Sequence, residues 1–88
     1  MIGAITVRTA SVAVPDGQRR SLNRVCEGSE RAISGGTSWS ADVPLELWTS
    51  DLEPMLNAQN QVIGFRASGG NNRGQSTTLT IHVLCYTP

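Results

Sequence analysis

The fold is decided by Ser76-Thr77-Thr78-Leu79-Thr80-Ile81-His82-Val83-Leu84-Cys85-Tyr86. Successive side chains of a strand point to opposite faces. Leu79, Ile81, Val83 and Cys85 therefore fall on one side, and Thr78, Thr80, His82, Leu84 and Tyr86 on the other. A β-branched run of this length with one wholly apolar face predicts a central strand.

The same period of two recurs toward the N-terminus. Val62 to Ala67 reads as a strand with Ile63 and Phe65 on one face and Arg66 on the other, after the polar, turn-like Asn57-Ala58-Gln59-Asn60-Gln61. Leu45, Leu47 and Thr49 alternate with Glu46 and Trp48 in a short strand. Thr49 to Asn57 has room for one helical turn, capped by Ser50 or Asp51 and limited by Pro54. Arg31–Ser34 and Thr37–Ser40 form strand interrupted at Gly35-Gly36, where a bulge or a close backbone approach is expected. Gln18 to Cys26 is a polar strand with Leu22, Arg24 and Cys26 on one face, between turns at Pro15-Asp16-Gly17 and Glu27-Gly28-Ser29-Glu30. At the start of the chain Ile5 and Val7 share one parity while Val12 and Val14 share the other. One residue of offset exchanges the faces of a strand, so this phase slip predicts a bulge or two separate strands. Strands spaced at short intervals by turn signals predict an all-β fold, a small antiparallel, jelly-roll-like β-sandwich.

The chain has 88 residues, enough for one domain spanning 1–88. Hydrophobic residues make up 39% and charged residues 16%, the balance of a folded domain and the opposite of a disordered one. A formal net charge of zero leaves no electrostatic footprint for nucleic acid or an anionic membrane. No apolar run reaches the roughly 18 residues that a membrane helix needs. Met1 to Arg8 lacks the basic and long apolar regions of a signal peptide, so any export is expected by another route or within a longer parent chain.

Only 25 sizeable apolar side chains are present, a small core that calls for a crosslink or partner subunits. Cys26 and Cys85 offer the crosslink. They are either two reduced, buried hydrophobes or a disulfide between strands. Across a separation of roughly 60 residues a disulfide stabilises by about 4 kcal/mol, and that is the expectation here. It implies an oxidising setting: a virion, a cell surface or the extracellular space. With His82 as the only histidine, two cysteines do not complete a tetrahedral zinc site, so neither metal nor other cofactor is expected.

Nucleophilic catalysis needs a nucleophile, a base and an orienting group. His82, the one conventional base, lies in the central strand, where an outer or inter-subunit position accounts for it. No nucleophile-elbow or phosphate-loop motif occurs. The acidic pairs Asp51/Glu53 and Glu27/Glu30 read as solvated turn charges. The expectation is a protein that is not an enzyme.

Recognition residues remain. Ser68-Gly69-Gly70-Asn71-Asn72-Arg73-Gly74-Gln75 reads as a long polar loop whose amides and guanidinium suit sugar hydroxyls or a carboxylate. Its alternative is a hairpin loop that needs glycine only for its turn. Trp48 alternates out of phase with Leu45 and Leu47, which either exposes it beside Asp51 and Glu53, where it suits sugar stacking or a subunit contact, or leaves it in the core, while Trp39 is assigned to the core. The candidate ligand-binding set is Trp48, Asp51, Asn71, Asn72 and Arg73.

The segment Cys26-Glu27-Gly28-Ser29-Glu30-Arg31-Ala32-Ile33-Ser34-Gly35-Gly36 resembles a recurring bacterial and phage domain. There a Cys-Pro-x-Gly turn leads through a short apolar strand into a Gly-Gly step, and the last strand ends in a second cysteine, as Ile81 to Tyr86 does here. The chain is similar in this respect, over Thr9 to Tyr86, to the compact C-terminal domains that cap collagen-like and tail-fibre proteins. Glu27 stands where that family usually has proline, and no Gly-x-y repeat is present. The resemblance implies a non-catalytic, often trimeric β-domain at the end of a surface fibre, one that sets chain register or attaches to a host. The expected function is thus a trimerising phage or bacterial attachment module for host-surface glycan, with two alternatives. One is a capsid decoration protein that binds capsid or fibre protein and no glycan; the other is a small hydrolase using His82.

Overall fold

The computed structural model describes residues 3–41 and 46–87, which form six β-strands. These are β1 (Ala4–Val14), β2 (Arg19–Val25), β3 (Arg31–Trp39), β4 (Leu47–Leu56), β5 (Val62–Asn71) and β6 (Thr77–Thr87). They make two antiparallel three-stranded sheets, a front sheet ordered β1-β6-β3 and a back sheet ordered β2-β5-β4. Pairing first with last and second with fifth winds the chain as a jelly roll does, with six strands.

β6 is the central strand its sequence predicts: Leu79, Ile81, Val83 and Cys85 are fully buried against the back sheet. Ala67 and Ala32 complete the centre of the core, with Leu22, Phe65 and Cys26 packed around it. Cys26 and Cys85 form a disulfide, with Cα atoms 5.7 Å apart, and it ties the end of β2 to the centre of the opposite sheet. The core is thin. Leu52 faces inward in register with Ala67 yet is 43% exposed, because β4 overhangs the front sheet.

Several expectations need correction. β1 has neither a bulge nor a break; it pairs with β6 in one register from Ala4↔Thr87 to Val14↔Thr77. The phase slip instead turns Ile5 and Val7 out to solvent while Val12 and Val14 face in. β3 is continuous through Gly35-Gly36, and its bulge lies between Ala32 and Ser34. Gly35 does serve a close approach: a β-carbon there would meet the Phe65 ring at 2.8 Å. Thr49 to Leu56 is strand, not a helical turn; Pro54 fits because β4 is a sheet edge, where no neighbour needs its missing N–H. Leu45 lies outside the described residues.

The largest correction concerns the supposed loop. Ser68, Gly69, Gly70 and Asn71 belong to β5 and are buried, which leaves only Asn72 to Ser76 as the connection to β6. The glycines make room for tryptophans. A β-carbon on Gly69 would meet Trp39 Cζ2 at 2.8 Å inside the sandwich, and one on Gly70 would overlap the Trp48 indole on the outside.

Candidate functional site

The outer face of the back sheet carries the densest set of polar groups. β4 alternates Leu47, buried opposite Asn71, with Trp48, opposite Gly70 and 46% exposed. Arg19 of β2 is in register with Gly70 from the other side, so Arg19, Gly70 and Trp48 make one row across three strands. The next row is Ser21, Ser68 and Asp51, and the one after it Asn23, Arg66 and Glu53.

Short polar contacts hold these rows. Arg19 Nη2 donates to Ser50 Oγ at 3.0 Å and lies 3.9 Å from Asp51 Oδ2. The hydroxyls of Ser21 and Ser68 are 2.8 Å apart, and Arg66 Nε lies 3.6 Å from Glu53 Oε1. A bulge between Thr49 and Asp51 brings Ser50 and Asp51 together beside Arg19. Ser21, Leu22, Asn23 and Arg66 line a shallow depression next to these rows. One exposed indole bordered by guanidinium, amide, hydroxyl and carboxylate groups offers an apolar stacking surface together with donors and acceptors.

Trp48 and Asp51 share this face as expected. Asn72 is exposed at its end, where its N–H donates to Glu46 O at 2.8 Å. Asn71 is fully buried. Its Nδ2 donates to Val14 O at 2.8 Å and Gln75 O at 2.6 Å, and its Oδ1 accepts from Arg73 N. Its amide is therefore spent on holding the β5–β6 loop against β1. Arg73 is half-buried and donates to Thr77 Oγ1 at 3.0 Å. Gly74 N donates to Asp16 Oδ1 at 2.7 Å, which joins this loop to the β1–β2 turn. Sequence reasoning missed Arg19, Ser21, Asn23 and Arg66, and it placed Glu53 near Trp48 without including it in the set. The signal for the first three is the alternation of β2, whose odd positions fall opposite Leu22 and Arg24.

A second polar cluster lies beside the disulfide. Arg8 binds Glu30 through two bonds, Nε to Oε1 at 2.9 Å and Nη2 to Oε2 at 2.8 Å. Glu30 also accepts from Glu27 N at 2.9 Å and is 9% exposed. It is thus no solvated turn charge: the Arg8 hydrogen bonds, helped by the Glu27 amide, hold its carboxyl down to about 2. The sulfurs of Cys26 and Cys85 cluster with the Glu30 carboxylate within 4.8 Å. Joined to each other they are not thiolates, and that donor set does not suit a metal ion. His82 lies on the outer face of the front sheet, with Nε2 2.8 Å from Ser38 Oγ.

No known protein family, curated protein or solved structure matches this chain.

Proposed function

We propose that this domain is a non-catalytic attachment module of a phage or bacterial surface fibre, working as a homotrimer that binds host-surface glycan on the outer face of the back sheet. The observation that carries this reading is the support of Trp48 by Gly70: an indole kept at the surface beside Arg19, Asp51 and the Ser21–Ser68 hydroxyl pair. Sugar rings offer C–H faces that stack on indole and hydroxyls that both donate and accept, and these rows supply both kinds of partner. The disulfide fits a location on a virion or outside the cell, where such bonds persist.

A glycan array probed with the wild-type domain and with Trp48→Ala tests the binding. Selective signal that Trp48→Ala abolishes, with the melting temperature little changed, supports the reading. A wild-type domain that binds no glycan but binds assembled capsids would replace it with capsid decoration.

A further inference from the structure

In most sandwiches apolar side chains face inward and polar ones outward, but the first half of β1 reverses this order at the edge of the front sheet. β1 keeps a single register along β6, so its faces never exchange, while its sequence does exchange them. Near Val14 the inward residues are apolar; near Ala4 they are Thr6 and Arg8, and the outward ones are Ile5 and Val7. Ile5 is 59% and Val7 58% exposed, in register with Tyr86 and Leu84 of β6. On the other side of β6 the bulge sets Ile33 and Ser34 against Leu84, with Ile33 52% exposed. Five large apolar side chains from three strands thus cover the outside, while the Arg8–Glu30 ion pair fills the inside at the same level.

Among the described residues, the rest of this outer face carries one formal charge, that of Arg31. Its hydroxyls bond to neighbours on the same face, Ser11 to Thr80 at 2.9 Å and Ser38 to His82 at 2.8 Å. Arg31 donates to the backbone carbonyls of Ser29 and Glu30. The back sheet, by contrast, exposes Arg19, Asp51, Glu53 and Arg66. The two outer faces therefore differ: the back one carries most of the charge, and the front one gathers its exposed apolar groups at one corner.

We infer that the outer face of the front sheet is the surface through which copies of this chain associate, with the apolar corner formed by Ile5, Val7, Ile33, Leu84 and Tyr86 at its centre. The inference rests on the oligomeric part of the proposed function and supplies the contact surface. A second copy fits because the single charge described on this face, Arg31, is already bound to backbone carbonyls and gives an ionic partner little to pair with. Three strands about 4.8 Å apart, two of eleven residues and one of nine at about 3.4 Å each, present about 500 Å² in projection. Side-chain relief brings that close to the roughly 800 Å² per partner of a stable interface. In a trimer the three copies turn this face toward a common axis, where one part of it meets a different part of the next copy's.

Sedimentation equilibrium tests the inference on the wild type, on Val7→Glu and on Trp48→Ala, with circular dichroism and a thiol assay checking that each is folded and crosslinked. The wild type and Trp48→Ala should associate alike, and Val7→Glu should weaken association on the order of a hundredfold. Should Val7→Glu fail to fold, the nearly isosteric pair Ile5→Thr with Val7→Thr takes its place, with a loss of roughly tenfold expected. Association unchanged in these variants would overturn the assigned face and leave the oligomer standing. A wild type that stays monomeric would overturn the inference and the trimer together, while glycan binding through Trp48 would be judged separately on the array.

Discussion

Trp48 occupies the volume that a side chain on Gly70 would need: a β-carbon there would overlap the indole. One residue earlier the pairing is repeated on the opposite face, where Trp39 and Leu79 crowd Gly69. The two glycines thus seat one tryptophan inside the sandwich and one outside.

Gly69→Ala and Gly70→Ala should separate stability from binding. The β-carbon of Gly69→Ala meets interior atoms at 2.8 to 3.0 Å and should lower stability by about 1–3 kcal/mol in urea unfolding. Gly70→Ala pushes out an indole already half in water. It should lower stability less, shift the tryptophan emission and lose glycan binding.

Asn71→Ala should behave as a structural lesion. It leaves the buried acceptor Val14 O, together with Gln75 O and the Arg73 amide, without the Asn71 side chain, at a cost of about 1–3 kcal/mol. Asn72→Ala, at an exposed site, should leave unfolding within about 0.5 kcal/mol of the wild type. Equal losses for the two would place Asn71 outside the support role assigned to it.

Reduction of the disulfide should lower the unfolding free energy by about 4 kcal/mol, given a loop that spans 59 residues. For a domain this size that is a drop of roughly 15–30 °C in melting temperature, readable by calorimetry with and without reductant.

Acid should weaken the fold through Glu30. A carboxyl whose folded pKa lies below its unfolded value stabilises fully above the unfolded value and loses that contribution as pH falls through the folded one. With Glu30 lowered from 4.5 to about 2, its contribution holds at neutral pH and fades from about 4.5 to about 2. Glu30→Gln should be less stable than the wild type at pH 7, and its denaturation midpoint should vary less across that window. Parallel curves for the two proteins would rule out the Arg8–Glu30 pair as the acid-sensitive element.

Parity in β6 made the central strand and its buried face legible, because a strand buried on one face leaves that mark in consecutive residues. The same rule misled in β1, where Ile5 and Val7 were expected to face inward and so demanded a bulge. Parity reports which residues share a side but not which side is dry. Gly69-Gly70 was misread because a glycine that accommodates a distant indole looks the same in sequence as one that makes a turn. Arg8 and Glu30 are 22 residues apart, and Arg19, Asp51 and Arg66 come from three strands whose order no local pattern specifies. Of the candidate residues, alternation suggested the face of Trp48 and Asp51, and Asn72 came from a polar loop that is shorter than its sequence implied; the residues around them depended on the topology.

The pairing of Ala4 with Thr87 also fixes an order of events. During synthesis β1 waits for β6 to leave the ribosome, so the front sheet cannot close until every other strand of this domain has emerged. Until then the residues that become its outer face have no sheet to belong to. The outer face is thus completed in the same step that closes the sandwich.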